Sequence, residues 1–598
     1  MHVLYIAFLE YFMNNIFKAT PNNRIRLLQA AIIVVCSIFV MRLFYLQVIK
    51  YSFYQSEAQA SQLKRYEIPA ERGIVYAFDG STQVPIVLNE RRYTIVADPQ
   101  IIQDKETTAL RVADVLSTSK DAVLERLNQP TRYEILAKKQ TRDIKDKIES
   151  MMLEGEIIGI FAERTNQRVY PHDSLAAQLL GYVNDDGEGR YGVEEALDDA
   201  LSGTSGRVAA LTDQNGIPLL ATGDNIVDDP INGQDVALSI DVVMQRQLEI
   251  ILKKGLDAAR SDSGSALIMD PNTGAIKALA NYPSYDPAKF SEVEDPSLFT
   301  NPTVSSPLEP GSIMKVLTTA AALDSGAVSP EQSYFDPSFF TIDDAVVRNV
   351  EEGGGPAQRS ISDILRLSLN TGATWLLMQM GDGELNEKGR ILWHEYMSTH
   401  YLLGQPTGIE QGYEEPGFLP SPVDGFGLNI QYANTSFGQG MSATPLQMAS
   451  AVSAVINGGT YYKPTLIAGY SSADGTFEEN QPEIIRQNVV SRDVSKTIVD
   501  FMQVVVANSS VTRPLVRDGY VIGGKTGTAE IARPEGGYFE DKFNGTYVGF
   551  VGGSKPDFVI LIRVNDPGIP GYAGSQAAGP IFSDTVNMLI DNFSVISQ

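Results

Sequence analysis

A serine and a lysine three residues apart, Ser312 and Lys315, are the residues of this sequence best suited to nucleophilic catalysis. Residues at positions i and i+3 share one face of a helix, so the lysine amine can reach the serine hydroxyl. Serine is a weak nucleophile until a base removes its proton, and burial or a neighbouring cation can lower the pKa of a lysine enough for that task. Gly311 precedes the pair and the apolar run VLTTAAAL follows it. We therefore predict that Ser312 lies at the start of a helix shielded from water.

The S-x-x-K pattern is weak evidence when it is taken alone. The chain contains two more copies, at Ser61–Lys64 and at Ser117–Lys120. Neither copy has a glycine before it or companion motifs after it, and we interpret both as solvated helix faces.

Two polar patterns further along the chain could complete a site around Ser312. The first, Ser368–Asn370, offers a hydroxyl for proton relay and an amide that can orient a substrate. The second, Lys525–Thr528, follows an apolar run and two glycines, which indicates an edge strand that a ligand approaches closely. We predict that the lysine and hydroxyls of this segment bind a carboxylate and that Gly527 keeps a side chain out of the ligand's way. A peptide substrate could then pair with the strand.

A phosphate-binding loop is an alternative interpretation of the same segment. Gly519 with Gly524–Thr526 satisfies G-x-x-x-x-G-K-[ST]. Such a loop needs a strand before its first glycine and a helix after its Lys-Thr. Here the strand-like residues 520–522 lie inside the would-be loop, and Pro534 soon follows. The context therefore disfavours a phosphate loop.

The composition of the chain limits the number of domains and the kinds of site that it can form. A chain of 598 residues is expected to form two or three domains, and its formal charge of -26 disfavours binding to nucleic acid. The chain has a single cysteine, Cys36, which excludes a disulfide within the chain. Its four histidines are scattered, which excludes a Cys/His zinc cluster. Few histidines also make a lysine base more plausible than a histidine base.

An apolar segment near the N-terminus, residues 27–49, has the length of a membrane span if Arg42 reaches toward the interface. Lys18, Arg24 and Arg26 precede it, so the positive-inside rule keeps the N-terminus in the cytoplasm and places the rest of the chain outside. A cleaved signal peptide is disfavoured because the only A-x-A pattern nearby, at residues 58–60, lies too far beyond the apolar run.

A mixed region of strand-like and helical stretches follows to about residue 230. Residues 235–259 then predict a strand running into a helix with Asp241 as its N-cap. Residues 264–280 predict two strands joined by the turn at 270–274. This order indicates the start of an α+β domain near residue 231.

The order S-x-x-K, S-x-N, K-T-G is closely similar to the signature of class A β-lactamases and penicillin-binding proteins, in which the middle motif is S-D-N. The chain resembles the class B penicillin-binding proteins, the D,D-transpeptidases that cross-link peptidoglycan. Residues 72–80, 169–206 and 436–459 resemble, in that order, the segment after the membrane, the pedestal stretch and the segment beside the active site. The forms EPGSIMK and GGKTGTAE resemble the cell-division subfamily more than the elongation subfamily.

The resemblance implies a role for each motif residue. Ser312 would attack the penultimate D-Ala of a stem peptide, with Lys315 as the base, and release the last D-Ala. Backbone amides of Ser312 and Thr528 would form the oxyanion hole. The resemblance implies five catalytic residues, Ser312, Lys315, Ser368, Asn370 and Lys525, and three substrate-binding residues, Thr526, Gly527 and Thr528.

The resemblance also implies an architecture and partners. The expected α+β fold is a transpeptidase domain with a central antiparallel sheet and helices, preceded by an elongated pedestal domain and one transmembrane helix. The expected divisions are a cytoplasmic segment 1–26, an anchor 27–49, a dimerisation-like pedestal 50–230 and a transpeptidase domain 231–598. The implied partners are stem peptides, β-lactams as covalent inhibitors, a SEDS-type glycosyltransferase, division proteins and the membrane. Neither a cofactor, a metal nor nucleic acid is implied.

Three other functions remain open from the residues. An elongation-type transpeptidase would use the same motifs. A β-lactam-binding hydrolase would need a placed acid for deacylation, and we interpret residues 382–386 (DGELN) as a turn rather than such a loop. A β-lactam sensor would keep the fold without turnover.

Overall fold

The computed structural model describes residues 23–54, 63–211, 226–350, 354–471, 476–533, 536–593 and 595. The described residues divide into two compact units, the first within residues 1–69 and 205–231 and the second within residues 70–204 and 232–598. Ser61 and residues 1–22 of the predicted cytoplasmic segment lie outside the described residues.

The strands are numbered in chain order. They are β1 (Leu63–Ile68), β2 (Val75–Asp79), β3 (Thr82–Ala97), β4 (Glu134–Gln140), β5 (Ile160–Val169), β6 (Tyr182–Val183), β7 (Gly189–Arg190), β8 (Gly206–Leu211), β9 (Ile226–Asp228), β10 (Asp235–Asp241), β11 (Ser263–Met269), β12 (Ile276–Tyr282), β13 (Ser333–Asp336), β14 (Phe339–Ile342), β15 (Ala345–Arg348), β16 (Ala357–Ser360), β17 (Thr460–Tyr462), β18 (Ile467–Ser471), β19 (Phe477–Glu479), β20 (Ile484–Gln487), β21 (Val521–Ala532), β22 (Tyr538–Gly552) and β23 (Phe558–Asn565).

The α-helices are numbered in the same way. They are α1 (Asn23–Phe44), α2 (Lys105–Leu116), α3 (Lys120–Leu127), α4 (Arg142–Leu153), α5 (Ala177–Leu180), α6 (Gly192–Ala196), α7 (Asp198–Ser202), α8 (Val242–Ala259), α9 (Pro302–Ser305), α10 (Met314–Asp324), α11 (Ile361–Arg366), α12 (Asn370–Met380), α13 (Glu387–Glu395), α14 (Leu428–Thr435), α15 (Pro445–Ile456), α16 (Arg492–Asn508) and α17 (Gly579–Asn592).

The first unit contains α1 and a three-stranded antiparallel sheet in the order β1-β8-β9. Helix α1 continues into a π-helical turn at Tyr45–Ile49. The 25 residues Ile25–Ile49 include an 18-residue window with a mean hydropathy of 2.3. They form the one helix, among the described residues, that is long and apolar enough to cross a membrane. The predicted single apolar helix is therefore confirmed.

The centre of the second unit is a five-stranded antiparallel sheet in the order β12-β11-β23-β22-β21. Alternate residues of β11 enter two different cores, as expected for a strand buried on both faces. One core includes apolar residues of α8 and α17, and the other includes residues of α10, α12 and α15. The predicted central antiparallel sheet with helices is confirmed, and β21 is left at its edge.

A second sheet of this unit has the order β19-β18-β10-β2-β3-β4, with β5 also paired to β3. Strand β10 runs parallel to β2, so segments far apart in the sequence meet there. Helices α2, α3 and α4 pack on the far part of β3 around a separate apolar core that includes Ile95, Val112 and Ile160.

A buried ion cluster joins three segments beside this second sheet. The carboxylate of Glu194 accepts hydrogen bonds from Nε of Arg72 and Nε of Arg168, each at 2.7 Å. Arg72 also contacts Asp198 at 2.6 Å. The Glu194 side chain is 1% exposed. Burying its charge costs free energy, so the fold depends on the ion pairs that offset this cost.

Several local predictions match the structure. Strand β10 runs into α8, and Asp241 caps that helix through the amides of Val243 and Met244. The predicted hairpin is β11 and β12.

One local prediction is wrong. Ser117 ends α2 in a left-handed conformation and Lys120 begins α3, so this S-x-x-K spans a junction between two helices rather than one helix face. In the other copy, Lys64 lies on β1.

Candidate active site

Ser312 lies in a single 3-10 turn, Gly311–Ile313, that leads directly into α10. Gly311 has φ +60°, and a Cβ there would come within 2.7 Å of the carbonyl oxygen of Thr528. The left-handed conformation and the close approach both require glycine, as the sequence indicated. The turn therefore sits directly against strand β21.

Lys315 is fully buried beneath Ser312. Its Nζ lies 2.8 Å from Ser312 Oγ. The same amine donates to the carbonyl oxygen of Ser368 and to Oδ1 of Asn370, each at 2.7 Å. The predicted contact between the serine and the lysine at helical spacing is thus present.

These contacts define how Lys315 can act on Ser312. The amide of Asn370 has a fixed orientation because its Nδ2 donates to the carbonyl oxygen of Arg348 at 3.1 Å. Two acceptors that cannot donate, the Ser368 carbonyl and Asn370 Oδ1, therefore occupy two N–H bonds of the amine. In a neutral amine the remaining position is a lone pair, and the hydroxyl of Ser312 is close enough to donate to it.

The electrostatic environment favours that neutral form. Burial, and then the positive charge of Lys525, lower the pKa of Lys315 well below its usual value. A lysine with a depressed pKa is a competent base for a serine hydroxyl.

Ser368 connects the two buried lysines. Its Oγ lies 3.2 Å from Nζ of Lys315 and 3.0 Å from Nζ of Lys525. The residue adopts φ +55° in the turn between α11 and α12, an uncommon conformation outside glycine that is often found at functional sites. A hydroxyl that contacts both amines can pass a proton between them.

Lys525 is 1% exposed and donates to the carbonyl oxygen of Thr526 at 2.9 Å. Burial lowers the pKa of Lys525 to about 7. The amine is therefore poised to become fully charged when an anionic group binds beside it.

The prediction that Lys525–Thr528 belongs to an edge strand is confirmed, because β21 pairs only with β22 in its sheet among the described residues. Strand β21 also runs without a break from Val521 through Thr526, which form most of the would-be phosphate loop, and this contradicts that alternative.

The structure corrects the reason for Gly527. A Cβ at this position would meet Oγ1 of Thr546 at 2.2 Å and the carbonyl oxygen of Pro310 at 2.8 Å. It would thus point toward the Ser312 turn, and Gly527 is not among the residues that line the adjacent cavity. Glycine is needed here so that the turn can pack on β21, and the prediction that it clears space for a ligand is wrong.

A cavity of about 600 Å³ opens over Ser312. Of the predicted residues, Ser312, Ser368, Asn370, Thr526 and Thr528 line it, while the two lysines lie behind its wall. Sequence reasoning missed the rest of the lining: Val346, Val347, Arg348, Val350, Asn434, Phe437, Gln439, Glu530, Phe543, Gly571, Tyr572 and Ser575.

Only part of this missed set could have been found in the sequence. Phe437 and Gln439 belong to the segment 436–459 that was expected beside the active site. Glu530 could have been found by strand alternation, because it follows Thr526 and Thr528 at a spacing of two. The hairpin residues 346–350 carry no motif.

The site is therefore built for acyl transfer through a serine ester. It has a nucleophile, a buried amine with a depressed pKa, a bridging hydroxyl, and a strand edge beside a cavity that can hold a peptide. None of these groups requires a metal ion, and no His/Cys/Asp/Glu cluster suited to a metal occurs in the described parts of the chain.

Comparison with known proteins agrees with this class of site. Residues 264–587 match the penicillin binding protein transpeptidase domain, and residues 67–238 match the penicillin-binding protein dimerisation domain. The chain belongs to the penicillin-binding protein transpeptidase family.

Individual relatives cover nearly the whole chain. Penicillin-binding protein PbpB of Mycolicibacterium smegmatis is 30% identical over 599 residues, which cover 94% of this chain and 89% of that protein. Peptidoglycan D,D-transpeptidase FtsI of Buchnera aphidicola is 27% identical and covers 97% of this chain and 98% of that protein. The crystal structure of penicillin binding protein 2X from Streptococcus thermophilus has the same fold, with a TM-score of 0.71, 22% identity, and coverage of 88% of this chain and 80% of that one.

Proposed function

We propose that this chain is a peptidoglycan D,D-transpeptidase that cross-links stem peptides through an acyl-enzyme on Ser312, and that β-lactams inhibit it by acylating the same residue. The observation that carries the proposal is the 2.8 Å contact between Ser312 Oγ and the buried Nζ of Lys315. The family match and the names of the relatives give the reaction class and the substrate.

The first half-reaction forms the ester. Lys315 takes the proton of Ser312, and Oγ attacks the carbonyl carbon of the penultimate D-Ala. Backbone amides of Ser312 and Thr528 are the proposed donors to the oxyanion. The bond to the terminal D-Ala then breaks, and its amine leaves with a proton delivered from Lys315 through Ser368.

The second half-reaction transfers the acyl group. An amine of another stem peptide attacks the ester carbonyl and gives up a proton to the Lys315–Ser368 pair. The bond between the acyl carbon and Ser312 Oγ then breaks, and Oγ regains a proton from Lys315. During the first half-reaction, Lys525, Thr526 and Thr528 hold the carboxylate of the donor's terminal D-Ala, and Asn370 orients the donor's backbone amide. These roles depend on the charge-assisted contacts that a buried lysine and two hydroxyls can offer a carboxylate.

A direct assay tests this reaction. The protein would be incubated with a D-Ala-D-Ala-terminated donor and an amine acceptor, with both free D-Ala and the amide product measured. We expect amide product and D-Ala in similar amounts. Hydrolysed donor with no amide product at saturating acceptor would contradict a transferase and favour a hydrolase.

We further propose that the enzyme acts in septal cell-wall synthesis, with a SEDS-type glycosyltransferase and division proteins as partners. A relative named FtsI and the EPGSIMK and GGKTGTAE forms support this choice over an elongation enzyme. Depletion of the protein in its native cells should yield filaments. Rounded cells with normal septa would instead indicate the elongation role.

The proposed arrangement in the cell is a cytoplasmic segment 1–26, an anchor 27–49, a pedestal 50–230 and an extracytoplasmic transpeptidase domain 231–598. The apolar helix Ile25–Ile49 supports the anchor. The basic residues before it support the orientation.

A further inference from the structure

Two charged side chains line the cavity over Ser312: Arg348 and Glu530. The carboxylate of Glu530 accepts one hydrogen bond, from Nε2 of Gln439 at 3.3 Å. Within the described parts of the chain, no lysine or arginine forms an ion pair with it. A partly buried carboxylate without a basic partner therefore faces the space where substrate binds.

The strand fixes the position of Glu530 relative to the proposed substrate contacts. Between Lys525 and Glu530, burial alternates along β21: Thr526, Thr528 and Glu530 are partly exposed, while Lys525, Gly527 and Ala529 are buried. Residues at a spacing of two share a strand face, so Glu530 continues the face that carries the two threonines. At about 3.3 Å per residue, Glu530 lies roughly 7 Å beyond Thr528.

The direction of the donor then identifies what Glu530 meets. In the proposed reaction, the donor's terminal carboxylate binds at Lys525 and Thr526, and its scissile bond lies beside Ser312 and Thr528. A donor that adds to the edge of β21 must therefore extend its preceding residue toward Glu530. In a stem peptide that preceding residue is a diamino acid, whose second amine is cationic when it is free.

We propose that Glu530 is a specificity-determining residue, which favours donors and β-lactams with a cationic group at the position before the terminal D-Ala-D-Ala and disfavours those with an anionic group there. This inference rests on the proposed function, since it uses the donor's orientation in that site.

Neighbouring groups strengthen the negative potential of this end of the cavity. Glu309 accepts hydrogen bonds from the amide of Gly440 at 2.9 Å and from the hydroxyl of Tyr538 at 2.8 Å. Burial, with added repulsion from Glu530, raises the pKa of Glu309. The other charged residue of the cavity lining, Arg348, belongs to β15. The carbonyl oxygen of Arg348 accepts a hydrogen bond from the side-chain amide of Asn370.

Three penicillins with one scaffold provide the test. Benzylpenicillin, ampicillin and carbenicillin carry a hydrogen, an ammonium and a carboxylate at the same side-chain carbon. Second-order acylation rate constants would be measured in mildly acidic buffer, where the ampicillin amine is protonated. For Glu530→Gln we expect the ampicillin-to-carbenicillin ratio to fall about threefold to tenfold, the range of one partly screened charge contact. Glu530→Lys should reverse the preference relative to the parent protein.

A control variant and benzylpenicillin, whose side chain is uncharged, separate a direct contact with Glu530 from a long-range electrostatic effect and from a folding defect. Glu540→Gln removes the same charge from an exposed position on β22 that does not line the cavity, and it should leave the ratio unchanged. Equal changes in both variants would overturn the inference, because a long-range field would then explain them. The benzylpenicillin rate reports whether each variant still folds and reacts.

A peptide version tests the natural substrate chemistry. Donors ending in Lys-D-Ala-D-Ala, with the ε-amine free or acetylated, would be compared by release of D-Ala. The parent should prefer the free amine, and Glu530→Gln should lose that preference. An unchanged preference would overturn the inference while leaving the transpeptidase intact, whereas failure of the parent to react with any penicillin or donor would overturn the proposed function itself.

Discussion

Two buried lysines with depressed pKa values define the chemistry at the scale of single residues. Lys315 must be neutral to accept the proton of Ser312, so acylation should increase as pH rises through its lowered pKa. Lys525 must be charged to hold a carboxylate, so acylation should decrease as pH rises through a pKa of about 7. We therefore predict a bell-shaped pH profile for acylation by benzylpenicillin.

The variant Lys525→Arg tests whether deprotonation of Lys525 causes the decrease in acylation at high pH. Arginine stays charged over the whole range, so the decrease at high pH should disappear even if the maximum rate is lower. Stopped-flow measurement of acylation against pH would show it. An alkaline limb that persists in Lys525→Arg would mean that another group controls it.

At the scale of elements, the contact between the Ser312 turn and strand β21 determines whether the residues can meet. Gly527→Ala would place a methyl group 2.2 Å from Oγ1 of Thr546 and 2.8 Å from the carbonyl oxygen of Pro310. We expect a loss of about 1–3 kcal/mol in the free energy of unfolding and slower acylation as the turn moves away. Gly355→Ala, where a Cβ meets nothing within 4 Å, is the matched control. Equal behaviour of the two variants in thermal unfolding and acylation would contradict this role.

The buried ion cluster makes a separate prediction at this scale. Glu194→Gln would remove the charge that pairs with Arg72 and Arg168 and turn a donor toward one of them. Breaking a buried pair in this way typically costs about 3–5 kcal/mol. Denaturant unfolding should show a loss of this order, and Glu188→Gln, in an exposed pair with Arg190, should show little. Catalytic residues lie outside the cluster, so the folded fraction of Glu194→Gln should keep its acylation rate.

The sequence predicted the parts of the site that depend on local geometry. The spacing of Ser312 and Lys315, the glycine before them, and the strand character of Lys525–Thr528 all follow from short-range rules, and the structure bears them out. The reason for glycine at position 527 does not follow from short-range rules, because its constraint comes from Pro310 and Thr546, more than fifteen residues away along the chain in each case. The cavity charge at Glu530 and the hairpin residues near Arg348 depend likewise on long-range contacts that no local pattern encodes.

At the scale of the whole molecule, the chain combines an apolar N-terminal helix with a catalytic unit that has its own cores. A chain that begins after residue 54 should leave the membrane fraction, because about 20 apolar residues supply the energy of insertion. It should still be acylated by benzylpenicillin, since the site residues all lie beyond residue 300. Fractionation followed by labelling with a fluorescent penicillin would check both expectations. Retention of the shortened chain in membranes would point to a second attachment.

The central claim is that Ser312 is the nucleophile. Mass spectrometry of the intact protein after exposure to benzylpenicillin tests it most directly, with peptide mapping to locate the adduct. We predict one long-lived adduct on Ser312 in the parent protein and in the control Ser325→Ala, whose serine ends α10, and none in Ser312→Ala. An undiminished adduct in Ser312→Ala, or an adduct mapped to another residue, would contradict the account.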